Sequence, residues 1–347
     1  MPWVRVVLVN YNSGPLLAQT IAALACQTDA GFEAVIVDNA SSDGSAEGLA
    51  LPDERFRLVA AGANLGFAAG CNLGCRGATV PWLAMLNPDA IPEPDWLASL
   101  HRATIRYPDA VVFGSTQLDA QNPEILDGAG DCFSVYGLAW RGGHGQPTGL
   151  VQSDVRVFSA CGAAALYRRD VFEAAGGYAE SFFCYLEDVD LGFRLNLSGY
   201  EALQIADARV RHVGSACSGG KTSAFATYHG LRNAVFVSVR CMPFPLVLLT
   251  LPLLVGAQIW IGLRTGALHE RLKPVRDGLA CLPALLRQRR AVQAGRSVGA
   301  AAVARLLVWN PRHVNRLSVI PLARARRGSV LPVERLAAGS HPPQAEG

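Results

Sequence analysis

Val4-Arg5-Val6-Val7-Leu8-Val9-Asn10-Tyr11-Asn12 is the stretch that decides the fold. Val4 to Val9 reads as a continuous β-type run, as in a strand buried on both faces. Polar Asn10 and Asn12 stand directly at its end. The figure repeats downstream. Ala34 to Val37 is a second run, followed by the polar stretch Asp38 to Ser45; Phe56 to Val59 is a weaker third; Trp82 to Leu86 is a fourth, followed by Asn87 to Asp89. Between them lie helical patterns over Pro15 to Cys26, with Ser13 as the candidate N-cap and Pro15 in the first turn, and over Gly66 to Arg76. Strands separated by helices predict βαβ crossovers, hence an α/β fold with a mostly parallel central sheet flanked by helices. In such sheets ligands collect at the carboxyl ends of the strands, where these polar residues fall.

The 347 residues allow one large α/β domain with an appendage, or two modest domains. Half of the chain is apolar and 17% is charged, rich for a soluble enzyme and short of a multi-span membrane protein. The net charge of +3 hides an asymmetry. From residue 264 onward fourteen Arg and one Lys face four acids, a net of +11, which leaves −8 for the body. A basic tail on an acidic body predicts contact with an anionic surface. The nine cysteines include no Cys-x-x-Cys or zinc-finger spacing, and Cys71 and Cys75, four apart, share a helix face. They read as buried small hydrophobes in a reducing compartment. The opening run is a core strand rather than a secretory signal, so a cytoplasmic location is expected.

Segments in a fixed order carry a family resemblance: Val9-Asn10-Tyr11-Asn12; Val37 through Ser45; Asn64-Leu65-Gly66-Phe67-Ala68-Ala69-Gly70-Cys71-Asn72; Leu86-Asn87-Pro88-Asp89; Cys161 through Arg169; Gly176-Gly177-Tyr178; and Tyr185-Leu186-Glu187-Asp188-Val189-Asp190-Leu191. Each alone is weak. In series, over about residues 3 to 235, they resemble glycosyltransferase family 2, especially its rhamnosyltransferase-like branch. The resemblance implies a GT-A nucleotide-diphospho-sugar transferase fold. It also implies an inverting, metal-dependent enzyme, with dTDP-rhamnose as one donor it suggests. No Gln-x-x-Arg-Trp segment of the processive synthases is present, which favours adding one sugar, or few, per encounter.

The residue chemistry points the same way. A departing diphosphate needs neutralising, and a hard cation held by carboxylate oxygen does this well, so Mg²⁺ or Mn²⁺ is the expected cofactor. Asp89 is the natural ligand. The family's usual Asp-x-Asp has Asn87 in its first place, so substrate phosphates and water would complete the shell. The alternative for Asn-Pro-Asp is a plain turn. Asp38 is the candidate for gripping the nucleobase, with Asn39, Ser41 and Asp43 serving the ribose or shaping the loop. Gly66 and Gly70 would let a helix start approach the diphosphate, with Asn64 and Asn72 donating hydrogen bonds; close helix packing explains the glycines equally well. By resemblance Asp188 is the base that takes the acceptor hydroxyl proton, with Glu187 orienting it or the acceptor. Asp190 lies three residues beyond Glu187, so only part of this acidic trio can face the site. The alternative is an acidic first helical turn favoured by the dipole. His212 follows a short strand and matches a His near the metal or diphosphate, against an ordinary structural histidine. Arg232, beside Asn233, could reach a phosphate, or be a surface cation.

Gly219-Gly220-Lys221-Thr222 imitates the end of a P-loop, but Ser215 stands where the loop needs Gly. The segment reads better as a loop over the site, with Lys221 near the diphosphate. No Gly-x-Gly-x-x-Gly follows the first strand, which excludes a dinucleotide oxidoreductase. Residues 115 to 155 read as a variable excursion with a short hairpin. The expected organisation is a catalytic domain over 1–235 (nucleotide-sugar half about 1–115, acceptor half about 156–235), a hydrophobic and Arg-rich helical region over 236–335, and a disordered tail over 336–347. Met242 to Leu263 is uncharged and long enough to span a bilayer, but Pro243, Pro245 and Pro252 argue against one straight helix. A hydrophobic hairpin lying in the inner face of the membrane, with Arg-rich helices on anionic lipid, is the expectation; a buried helix pair is the alternative. Membrane attachment implies a lipid-linked saccharide acceptor. Few aromatics interleave with the tail arginines, which excludes nucleic acid as a partner. Homo-oligomerisation stays open, as does a catalytically silent sugar-nucleotide-binding or scaffold role, for which Asn87 speaks.

Overall fold

β1 (Val4–Asn10) is buried at every position. Its one charge, Arg5, donates to Glu33 at 2.6 Å and to the Arg76 carbonyl at 2.9 Å. That carbonyl follows α2 (see below), so a core strand closes a helix end whose carbonyls lack intrahelical partners. The computed structural model describes residues 1–214 and 223–318 and the backbone of 323–324. The segment Gly219 to Thr222, with Lys221, and the tail over 336–347 lie outside the described residues.

After β1 come α1 (Pro15–Ala25), β2 (Phe32–Asp38), β3 (Phe56–Ala60), α2 (Gly66–Cys75), β4 (Trp82–Leu86), β5 (Ala90–Pro92), α3 (Trp96–Arg106) and β6 (Val112–Asp119). Three short strands follow, β7 (Leu126–Gly128), β8 (Asp131–Phe133) and β9 (Ala139–Arg141), then β10 (Val155–Val157), β11 (Ala164–Arg168), α4 (Arg169–Ala174), α5 (Glu187–Leu197) and β12 (Ala202–His212). The rest is α6 (Ala224–Cys241), α7 (Phe244–Thr265), α8 (Leu268–Ala280), α9 (Leu282–Ala294), α10 (Ala300–Leu306), α11 (Pro311–Asn315) and β13 (Ala323–Arg324). Gly14, at φ 53°, and not Ser13, occupies the N-cap of α1, and no side chain caps it. Pro15 opens the helix, where its missing N–H costs nothing.

The sheet runs β13-β10-β12-β6-β11-β4-β1-β2-β3. The four N-terminal strands are mutually parallel. Beyond them the sheet is mixed, because β11 enters antiparallel between β4 and β6. β1 and β4 are neighbours although β2 and β3 lie on the far side of β1, so a topological switch point opens at their carboxyl ends. β12 runs parallel to β6 and ends at His212, which is in register with Ala90 of β5 and Asp119 of β6. β7 pairs with the other edge of β6, at the Gln117 and Leu118 that β12 also meets, and β8 and β9 form a separate hairpin.

α2 packs on β1 through glycine. A Cβ at Gly70 would come within 2.7 Å of Val9, and one at Gly74 within 2.4 Å of Val7. Gly70 is therefore a packing glycine. The C-terminal helices share a core with the body: Phe133, Phe158 and Phe193 cluster with Val235, Leu254, Val275 and Leu285. Residue 235 falls inside α6. Met242 to Leu263 forms no hairpin. α7 is one continuous helix, with Pro243 at its N-cap, Pro245 in its first turn and only Pro252 inside. It buries one stripe, Thr250, Leu254, Gln258 and Gly262, and exposes Phe244, Leu248, Trp260 and Leu263. It is long and apolar enough to cross a membrane, with 28% of its most apolar window buried.

Candidate active site

A cleft of about 930 Å³ opens at the switch point, lined by residues from β1, α2, the β4–β5 link, β9, α5 and the end of β12. One wall is held by the end of β1. The Asn10 amide lies 3.0 Å from Asp38 Oδ1 and 2.9 Å from the hydroxyls of Ser41 and Ser45. The Asn12 N–H donates to Ser41 at 3.1 Å, and its side-chain oxygen accepts the Ser42 N–H at 2.8 Å. Asp43 accepts the Gly14 N–H at 2.8 Å. The 38–45 loop is thus stitched to β1 before any ligand arrives. Asn39, buried, donates to the Gly66 carbonyl at 3.0 Å, and Asn64 accepts the Gly66 N–H at 3.0 Å. Asn39, Asn64 and Gly66 line the cleft; Asn10, Asn12, Asp38, Ser41 and Asp43 build the wall behind its edge. Gly66, at φ +81°, lies so close to Phe183 that a Cβ would meet its backbone oxygen at 2.5 Å.

Two expected members lie away from the cleft lining. Asn72 donates to the Tyr178 carbonyl at 2.8 Å and accepts its N–H at 3.0 Å, tying α2 to the turn after α4 instead of facing a diphosphate. Arg232 donates to the Phe182 carbonyl at 2.8 Å, and Asn233 donates to the carbonyls of Phe182, Cys184 and Tyr185 at 2.7 to 3.0 Å. This pair braces a loop in which Phe183, Tyr185 and Leu186 all hold positive φ. Such strain persists only where surrounding contacts over-determine it.

Asn87, Pro88 and Asp89 sit between β4 and β5. The Asn87 N–H is fixed by the Ala163 carbonyl at 2.8 Å, and the Pro88 carbonyl by the Thr20 hydroxyl at 2.7 Å. Pairing of β5 with β12 brings His212 alongside, with Nε2 3.3 Å from Asp89 Oδ1. That contact lacks hydrogen-bond alignment, and His212 Nε2 and Asn87 Oδ1 are both buried without a hydrogen-bond partner. A carboxylate oxygen, an imidazole nitrogen and an amide oxygen on one cleft wall suit a divalent cation.

The opposite chemistry gathers at the start of α5. Asp188 accepts the Gly162 N–H at 2.7 Å and the Val189 N–H at 2.8 Å. Glu187 is buried beside it, and Asp131, also buried, accepts the Ser159 hydroxyl at 3.0 Å. Burial pushes all three carboxyls up, Glu187 and Asp131 well above the usual range and with the Asp188 charge adding to the effect. Three neighbouring carboxyls cannot all ionise out of water. Asp188 alone of the three is met by two backbone N–H groups, so it takes the charge while Asp131 and Glu187 keep their protons. Asp131, Cys161 and Asp188 have ligand atoms within 4.8 Å of one another. Burial raises the Cys161 thiol too, which makes this a poor set for a hard cation beside Asp89 and His212. Asp190 faces away, buried between Arg194 at 2.8 Å and Arg240 at 3.1 Å.

The excursion over 115–155 supplies residues that pattern reading missed. Asp127 on β7, Asp131 on β8, and Trp140 and Arg141 on β9 reach the site or its supports. The one available signal was the pair of acids in Asp127-Gly128-Ala129-Gly130-Asp131.

Comparison with known proteins identifies the family and the fold. Residues 5–176 match the family model for glycosyl transferase family 2. The chain is 29% identical over 260 residues to an N-acetylglucosaminyl-diphospho-decaprenol L-rhamnosyltransferase of Mycobacterium tuberculosis, covering 68% of this chain and 84% of the relative. It is 33% identical over 131 residues to the succinoglycan biosynthesis protein ExoO of Rhizobium meliloti, 37% of this chain and 36% of that one. Among solved structures, S. aureus TarS 1-349 in complex with UDP-GlcNAc superposes with a TM-score of 0.55 at 13% identity, over 92% of this chain and 93% of that chain, and shares the GT-A fold. The chain belongs to glycosyl transferase family 2, on its rhamnosyltransferase-like side, and is a glycosyltransferase.

Proposed function

We infer that the enzyme transfers a sugar, with inversion, from a nucleotide-diphosphate donor to a lipid-linked saccharide, in the assembly of cell-envelope or surface polysaccharide. The observation that carries this reading is that Asp188, the one carboxyl of its cluster met by two backbone N–H groups, lines the same cleft as the Asp89–His212 pair. The acceptor hydroxyl gives its proton to Asp188 as its oxygen bonds to the anomeric carbon. The bond from that carbon to the diphosphate breaks on the opposite face, and the nucleoside diphosphate leaves. Protonated Glu187 orients the acceptor. The start of α2, where Gly66 and Phe67 line the cleft, favours the anionic diphosphate. Asp38 and its loop hold the nucleoside, and Asp89, Asn87 and His212 hold Mg²⁺ or Mn²⁺. When bound, the cation neutralises charge on the leaving diphosphate.

The relative's printed name suggests L-rhamnose as the sugar and an N-acetylglucosaminyl-diphospho-polyprenol as acceptor, and the family resemblance suggests dTDP as the nucleotide. Such an acceptor lies in a bilayer, and the exposed apolar side of α7 suits attachment to the cytoplasmic leaflet. Residues 1–235 would do the chemistry and residues 236–335 the anchoring. A thermal-shift series with nucleoside diphosphates and sugar nucleotides, with and without Mg²⁺ or Mn²⁺, tests the donor site. A metal-dependent shift with a single nucleotide is expected. No shift with any of them, and no rhamnose transfer to the lipid acceptor in vesicles, would overturn the reading.

A further inference from the structure

Asp127 has no place in the transfer step, yet it is 1% exposed and carries a charge directly behind His212. Its Oδ2 lies 2.7 Å from His212 Nδ1. The same oxygen is gripped by Arg141, and Oδ1 lies 3.4 Å from His144 Nδ1. Held by three basic groups, this carboxylate has no freedom to swing away from the ring. Arg141 Nη1 also lies 3.0 Å from Nδ1, but the Asp127 oxygen is nearer and only accepts, so the ring proton facing it sits on Nδ1. Nε2, the other nitrogen, is left toward the cleft, buried and without a hydrogen-bond partner, 3.3 Å from Asp89 Oδ1. With the ring neutral and its proton on Nδ1, the Nε2 lone pair and the Asp89 oxygen face each other across that gap as two acceptors in want of a positive partner. A cation between them supplies one.

We propose that Asp127 is a positioning residue that locks His212 in the Nδ1–H tautomer and aims Nε2, together with Asp89, at the divalent cation; this rests on the metal reading of the Asp89–His212 pair. Metal-bound histidines commonly donate their second nitrogen to such a carboxylate, which fixes the ring and strengthens it as a ligand. Topology explains why Asp127 has this position: β7 and β12 flank β6 on opposite edges, both at Gln117 and Leu118, so Asp127 reaches His212 across β6.

The test uses Mn²⁺ alone and the full chain, with free Mn²⁺ read by its paramagnetic resonance signal. Asp127→Asn should weaken Mn²⁺ binding by roughly 10- to 100-fold, the usual cost of losing such a partner. In a His212→Ala background the same change should do nothing further, because its effect passes through the ring. Equal weakening in both backgrounds, or unchanged binding in Asp127→Asn, would overturn the role of Asp127 while leaving the metal site standing. Mn²⁺ binding that is absent from the native chain, or indifferent to Asp89→Ala, would overturn the metal reading itself and the proposal with it. One measurement needs no Asp127 variant to fold. Nitrogen-15 spectra of the native protein, with the His212 signal identified by its loss in His212→Gln, should show the proton on Nδ1; a proton on Nε2 alone would refute the proposal.

Discussion

Asp188 Oδ2 lies 2.7 Å from the backbone N–H of Gly162, in the turn that leads into β11, so the proposed base is held by the sheet as well as by its own helix. A carboxylate fixed on both oxygens loses little freedom when an acceptor arrives, and its remaining lone pairs face the cleft. Asp188→Asn keeps the shape and removes the proton acceptor. Transfer should fall by about 10²- to 10⁴-fold, the range for loss of a general base. The stabilisation of the protein by nucleotide and metal should be unchanged. Turnover within a few-fold of wild type would remove Asp188 from this role.

Which carboxyl is the base also shows in the pH dependence. Burial raises Asp188, against the pull of the Gly162 and Val189 N–H groups. The reaction needs its ionised form, so rate must fall as pH drops through that raised value. The acid limb of kcat/KM is therefore expected above the ordinary aspartate value of about 3.9. Asp131, pushed up by burial and by the Asp188 charge, still carries its proton there. Asn mimics a protonated carboxyl, so Asp131→Asn should leave the acid limb in place and cost less than tenfold in rate. A loss as large as that of Asp188→Asn would exchange the two roles.

The parallel half of the fold was legible because β1, β2 and β4, buried on both faces, leave unbroken apolar runs, and each of these three ended in polar residues at or behind the cleft wall. Asp89, His212, Glu187 and Asp188 drew notice through their order along the chain, and all four line the same cleft. Asp127, Asp131 and Arg141 were not legible, because they ride on three-residue strands whose partners are set by long-range pairing and which carry no period. Asn72 and Arg232 show the converse error. Each has the right chemistry for a phosphate, and each instead satisfies backbone groups of the turns that shape the cleft. The prolines misled for a positional reason. Pro243 and Pro245 sit where a helix start needs no N–H, and one interior Pro252 does not end α7.

Asp190 belongs to stability. Its carboxylate is fully buried between Arg194 and Arg240, joining α5 to α6. Removing it strands two guanidinium groups in the core, and breaking a buried pair of this kind costs about 3–5 kcal/mol. Asp190→Ala should lower the unfolding free energy by that order in urea titration. Transfer per folded molecule should stay close to wild type. A selective loss of turnover with unchanged stability would bring Asp190 back into the active site.

The bare side of α7 predicts attachment to a membrane surface. Thr250, Leu254, Gln258 and Gly262, each four residues from the next, form the stripe that packs on the protein. On the other side Leu248 is 61% exposed and Trp260 60%, and the Arg264 guanidinium lies 5.1 Å from the Trp260 ring. Leu279, Leu282 and Leu286 extend the exposed apolar surface onto α8 and α9, whose Lys273, Arg276, Arg287 and Arg290 are exposed too. A helix with one packed stripe and a broad bare apolar side suits the plane of a leaflet better than a span, and exposed cations draw such a surface to anionic headgroups. The full chain should therefore float with vesicles containing anionic lipid, bind neutral vesicles more weakly, and come off as salt is raised. Leu248→Glu with Trp260→Glu touches no packed residue of α7, so the fold should survive while flotation is lost. A wild-type chain that stays with the soluble fraction beside anionic vesicles would end the membrane assignment. A double variant that still floats would move the contact from α7 to the arginines alone.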